Sequence, residues 1–211
     1  MKGEWEKDVE LLAAWRAGDQ HAGEQLYDRH VDAVARFFRN KVREHGDDLL
    51  QQTFVALVEG KQRIREGVVV RAYILGIARN VLYTHLRELA RGRDVDADVE
   101  TMAEFAPGPS TVAGRKREHR LLLEGLRRLP IEHQIALELH YWEGLTAKEI
   151  AALMGLSASA MRSRMAKARD LLHAAMMAIA ASPELLASTM NDLEGWAAQL
   201  RGQLPRESQS S

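Results

Sequence analysis

The sequence predicts an all-α protein: two helical blocks joined by a linker, with a further helical segment at the C-terminal end. Three observations carry this expectation. Apolar residues recur at three- and four-residue spacing along most of the 211 residues. Ala, Leu, Arg and Glu dominate and only 5 prolines occur, a composition that favours helix. Residues 94–111, DVDADVETMAEFAPGPST, interrupt the pattern with acids, no bases and two prolines around a glycine.

The first block spans residues 5–93. Leu11, Leu12 and Trp15, then Leu26, Tyr27, Val31, Val34, Phe37 and Phe38, mark apolar helix faces. A helix over 47–59 carries Leu49, Leu50, Phe54, Leu57 and Val58, and EGKQRIREG at 59–67 is a basic, glycine-bounded loop. A longer helix from Val70 to about residue 88 carries Tyr73, Ile74, Ile77, Ala78, Val81, Leu82 and Leu86. Residues 94–112 form the linker, which by composition is a solvated tether, although the preceding bases in RELARGR can attract its acids.

The second block spans 113–173. A helix over RKREHRLLLEGLRRL stops at Pro130, and another covers Ile131–Trp142 until Glu143-Gly144 closes it. Thr146 with Glu149 forms a capping box for a helix carrying Ile150, Ala151 and Leu153. Gly155 ends that helix, and Ser157 caps the next, which buries Met161, Met165, Ala168 and Leu172. Two helices around a tight glycine turn make a helix-turn-helix. The outer face of the second helix carries Ser159, Arg162, Ser163, Arg164, Lys167 and Arg169 with only Asp170 opposing. Such a helix fits the major groove, its short polar and arginine side chains meeting base edges and its lysines phosphates. With the helix starts at Thr146 and Ser157, these residues form the expected duplex-DNA face.

Hydrophobic residues make up 46% and charged residues 28%, an ordinary globular balance, and the net charge of −1 leaves nucleic-acid binding to local basic patches. The absence of cysteine excludes disulfides, thiolate zinc sites and cysteine nucleophiles, and fits a reducing cytoplasm. No apolar run approaches the roughly 20 residues that span a bilayer, and the charged start MKGEWEKDVELL lacks a signal-peptide core. The 8 histidines have no metal-ligand spacing, and neither GVVV nor GPS has the context of a phosphate loop. No metal, cofactor or catalytic residue is therefore expected, and the protein is not expected to be an enzyme.

Taken together, these strings resemble a bacterial RNA polymerase sigma factor of the extracytoplasmic-function group, over about residues 8–172. LRRLPIEHQIALELHYWEGLTAKEIAALMGLSASAMRSRMAKARDLL is similar to the family's region 4, which reads the upstream (−35) promoter element. DDLLQQTFVAL resembles region 2.2, and RAYILGIARNVLYTHLR, with its IARN string, resembles regions 2.3 and 2.4. The resemblance implies that Asp47, Asp48 and Gln51 meet core RNA polymerase, and that region 2 melts the downstream (−10) element and captures a flipped base. Lys61, Arg63, Arg65, Arg71, Tyr73, Arg79, Asn80 and Arg87 are the candidate contacts there, Arg79 and Asn80 being placed by the motif itself. The chain departs from the family pattern at His45 and Gly46, at Val70 and Leu75 where aromatics are typical, and at Gly76 where arginine is frequent.

The implied partners are core RNA polymerase, promoter DNA and an anti-sigma factor or other regulator, in the bacterial cytoplasm without membrane insertion. The alternatives are a stand-alone helix-turn-helix regulator with an N-terminal partner-binding domain, and a helical protein-binding adaptor. Residues 174–211 lie beyond the resemblance. Ser182-Pro183 starts an amphipathic helix with Leu186, Met190, Leu193, Trp196, Leu200 and Leu204, ending in a polar RESQSS tail expected to be disordered. Either it packs on region 4 as extra core, or it docks on region 2 or another protein and tunes activity.

Overall fold

The computed structural model describes residues 2–42, 44–65, 67–92, 94–96, 100–105 and 117–202. The first block is four helices: α1 (Lys2–Arg16), α2 (Gln20–Arg39), α3 (Gly46–Gly60) and α4 (Val70–Leu89). Asp19 starts α2 by accepting from the Ala22 N–H at 3.2 Å, and a short 3-10 turn, Lys61–Arg63, occupies part of the expected loop. Leu26, Val34, Phe38, Leu57, Ile74, Leu82 and Leu86 fill the bundle interior, as their periodicity predicts.

The second block begins with α6 (Arg117–Arg127) and α7 (Ile131–Tyr141), followed by α8 (Ala147–Met154) and α9 (Ala158–Met177). Pro130 separates α6 from α7, and Gly144 and Gly155 both take positive φ at the turns that follow. Apolar packing does not stop at the block boundary. Ile131, Ile135, Leu139, Leu145 and Ile150 belong to the same core as the interior of α2 and α4.

The described part of the linker corrects the expectation of a solvated tether. Val95 and Met102 are buried, a short α5 (Met102–Phe105) forms, and the Ile131 N–H donates to the Glu100 carbonyl at 2.9 Å. The buried Arg127 guanidinium donates to the carbonyls of Asn40 at 2.7 Å and Met102 at 3.2 Å, tying both blocks to the linker. The two apolar side chains outweigh the surrounding acids once a groove is available to bury them.

The C-terminal segment is two helices, α10 (Pro183–Asn191) and α11 (Leu193–Gly202), where one was expected. The Asp192 carboxylate accepts from the Gly195 N–H at 3.1 Å, restarting the helix. Ser182 caps α10 as predicted, accepting from the Leu185 N–H at 3.2 Å. Leu185, Leu186, Met190, Leu193 and Trp196 pack on a second apolar cluster built by α6, α7 and α9. Of the two placements open from sequence, the segment takes the one on the second block; the Leu200 side chain, Leu204 and the RESQSS tail lie outside the described residues.

Candidate nucleic-acid interface

The helix-turn-helix forms for local reasons. The Thr146 hydroxyl accepts from the Glu149 N–H at 3.3 Å while the Glu149 carboxylate accepts from the Thr146 N–H at 2.7 Å, completing the capping box. Ser157 accepts from the Ala160 N–H at 3.1 Å, so both expected contact residues serve first as helix starts. Met161, Met165, Ala168, Leu172 and Met176 bury one side of α9. Ser159, Arg162, Ser163, Lys167 and Arg169 are exposed on the other, and Arg164 is half-buried. α9 therefore presents a polar, basic ridge to solvent and fixes it through its apolar side. A groove of duplex DNA can receive it without rearranging the block.

The second candidate face lies on α4 and the loop before it. Arg63, Arg65, Asn80 and Arg87 are exposed, the last with its Nε 3.9 Å from Asp94. Tyr73 lies against the end of α3, close enough that a Cβ on Gly60 would stand 3.2 Å from its hydroxyl. The aromatic and the basic loop are thus brought together.

Three of the expected strand contacts are engaged inside the protein. The Lys61 ammonium sits 4.4 Å from the centre of the Trp15 ring. Arg79 donates through Nε to Glu132 at 3.0 Å, with a second bond from Nη2 to the same oxygen, and stacks 4.9 Å from the Tyr83 ring centre. Arg71 bonds Glu143 through Nη2, and Arg36 grips the same carboxylate at 3.0 and 3.2 Å. Arg71 and Arg79 are paired in this structure for a physical reason. Two buried carboxylates of the second block need cationic partners, and these arginines are within reach.

A third pair completes this seam. Glu138 bonds the Lys41 ammonium, while Asn40 at 3.3 Å and Gln134 at 2.8 Å donate to its other oxygen. Burial pushes the Lys41 ammonium below the usual lysine range, and Glu138 offsets only part of that push. Lys41, Glu132, Glu138 and Glu143 were not anticipated. Each reads from sequence as an ordinary surface charge, and nothing local marks it as buried.

Arg16 is also a new member. Its guanidinium donates to the carbonyls of Lys61, at 2.8 Å, and Ile64, which fixes the basic loop against α1. Asp47, Asp48 and Gln51 are exposed in the first turns of α3, with Asp48 3.3 Å from His45 Nδ1. They form an acidic helix start of the kind favoured by the positive end of the helix dipole.

Among the described residues no group of His, Asp and Glu is arranged to hold a metal ion, and no helix is long and apolar enough to cross a membrane. Family models describe residues 26–92 as sigma-70 region 2 and residues 119–172 as sigma-70 region 4. The chain is 34% identical to RNA polymerase sigma factor CarQ of Myxococcus xanthus, over 72% of this chain and 88% of the relative. It is 29% identical to ECF RNA polymerase sigma factor SigM of Mycobacterium tuberculosis, over 77% and 81% respectively. Among solved structures it resembles CnrH, in complex with the cytosolic domain of CnrY, with a TM-score of 0.54 and 28% identity over 82% of this chain and 99% of that one. The fold also matches the sigma factor RpoE of Bartonella quintana, solved with the anti-sigma factor NepR, with a TM-score of 0.58 and 19% identity over 74% and 97%.

Proposed function

Because this chain belongs to the extracytoplasmic-function group of the sigma-70 family of RNA polymerase sigma factors, we propose that two of its faces hold promoter DNA and a third meets the polymerase. It is a transcription initiation factor, which binds core polymerase, recognises promoter elements and drives initiation; bond formation belongs to the polymerase. In this reading the α9 ridge, with Ser159, Arg162, Ser163, Lys167 and Arg169, reads the upstream element. Arg63, Arg65, Arg71, Tyr73, Arg79, Asn80 and Arg87 hold the opened downstream element. The Asp47, Asp48 and Gln51 helix start contacts core polymerase. Work on DNA puts the protein in the bacterial cytoplasm.

The observation that carries this reading is the division of α9 into a buried apolar side and an exposed basic one. An adaptor that bound only protein would have no use for that ridge. A protein regulator is a further proposed partner, supported by the likeness to CnrH, which was solved with the cytosolic domain of CnrY.

The test is run-off transcription by holoenzyme reconstituted from the full chain and core polymerase, on promoters of its own genome. Arg162→Ala is expected to reduce output about tenfold or more, since one lost bidentate base contact is worth about 1–3 kcal/mol. Core binding should be unchanged. A wild-type holoenzyme that starts no transcript from any of these promoters would overturn the reading.

A further inference from the structure

The turn that follows α3 is held largely from outside its own sequence. Its closing bond runs from the Ile64 N–H to the Lys61 carbonyl at 3.4 Å, and the next turn closes from the Val68 N–H to the Arg65 carbonyl at 3.4 Å. Bonds of that length hold a backbone weakly. Arg16, the last residue of α1, grips the turn more firmly: Nε donates to the Lys61 carbonyl at 2.8 Å and Nη2 donates to the Ile64 carbonyl. A guanidinium fork spans two acceptors in a fixed geometry. The Gln62 amide donates back to the Arg16 carbonyl at 3.3 Å, and the Lys61 ammonium lies over the Trp15 ring. Gly23 of α2 leaves room for that ring, since a Cβ there would stand 2.5 Å from Trp15 Nε1.

These contacts decide where the cations of the loop point. Ile64 has an extended backbone, with φ −67° and ψ 120°, and its side chain is buried. The two neighbours of an extended residue lie on the side opposite to it. With Ile64 pinned inward, Arg63 and Arg65 face solvent.

We propose that Arg16 is a positioning residue for base capture: by bridging the Lys61 and Ile64 carbonyls it fixes the loop that presents Arg63 and Arg65, and so sets how strictly the downstream element is read. The inference rests on the reading of this loop as part of the strand-binding face. A loop ordered before binding fits one arrangement of the strand well and others poorly. A loop freed at Lys61 and Ile64 adapts to several, and loses preference between bases along with affinity.

The test is run-off transcription by holoenzyme reconstituted from the full chain and core polymerase. The templates are a promoter active with the wild type, and copies in which each base of the downstream or upstream element is replaced in turn. The readout is the ratio of output between the parent promoter and each copy. Arg16→Gln is expected to flatten that ratio about tenfold at one or two downstream positions, the scale of one base contact, and to leave every upstream ratio unchanged. Arg16→Lys keeps the charge but not the fork, and should flatten the same ratios about threefold. It carries the test if Arg16→Gln does not fold. A substitution that only loosened the fold would lower output from all templates alike and move no ratio.

Downstream ratios that keep their wild-type values in the Arg16 variants would overturn the inference, and so would an equal flattening of the upstream ratios. Arg63→Ala with Arg65→Ala separates this result from the reading beneath it. If that variant lowers output or flattens the downstream ratios while the Arg16 variants move no ratio, the loop still holds the strand and only the role of Arg16 falls. If it changes neither output nor ratios, both fall.

Discussion

Asp8 is buried between two basic side chains: Arg29 Nε donates to one carboxylate oxygen at 2.7 Å and His30 Nε2 lies 2.9 Å from the other. Burial alone would push this carboxyl up, but the hydrogen bonds and charges of His30 and Arg29 together hold it below the ordinary 3.8. The folded state thus favours the carboxylate. Its contribution is present above the ordinary aspartate value and is lost as pH falls through the lower, folded one. Thermal melts should show Asp8→Asn less stable by about 2 kcal/mol at neutral pH, with a shallower loss than the wild type on acidification. Gly125 makes a different demand. A glycine inside a helix costs about 1 kcal/mol relative to alanine, so its presence in α6 needs a reason. A Cβ there would stand 2.5 Å from Met176 Cγ and 3.2 Å from Leu172 Cδ1. Gly125→Ala should therefore lower stability by about 1–2 kcal/mol in chemical denaturation, despite the better helix propensity.

Helix starts and stops were legible because their causes are local. Thr146 with Glu149, Gly155, Ser157 and Ser182-Pro183 each act within four residues, and each does in the structure what its spacing predicts. What an apolar helix face covers is not local. The stripe from Leu186 to Trp196 shows that a partner surface exists but carries no mark of α6, α7 and α9 as that surface. The break at Asp192 had a readable sign, an aspartate three residues before a glycine, yet unbroken periodicity hid it. Removing α10 and α11 by truncation after Ala181 uncovers Leu121, Leu122, Leu126 and Trp142. The shortened chain should lose about 3 kcal/mol and melt about 10 °C lower in calorimetry. An unchanged melting temperature would mean that the pair contributes nothing to the fold of the second block.

At the scale of the molecule, the linker and the seam of charges decide how the blocks meet. Arg79 and Glu132 are 53 residues apart, and Arg36 and Glu143 are 107 apart, so no window along the chain contains either pair. The duplex face was readable because one helix carries all of it. The state of the α4 face was not, because another block supplies its counterions. Met102, with Val95, anchors the acidic linker and is fully buried. Met102→Glu should release it, costing about 3 kcal/mol by leaving a buried charge beside a vacated apolar groove. Limited proteolysis should then cut between the blocks faster than in the wild type, and equal cutting rates would contradict the anchoring role.

α9 has 20 residues, a rod about 30 Å long at 1.5 Å per residue. Its first turns carry the reading ridge, while Leu172 and Met176 near its far end belong to the cluster on which α10 packs. A stiff rod cannot be turned at one end and held at the other. The C-terminal pair therefore works as the mounting of a lever, and whatever shifts that mounting re-aims the residues that meet the groove.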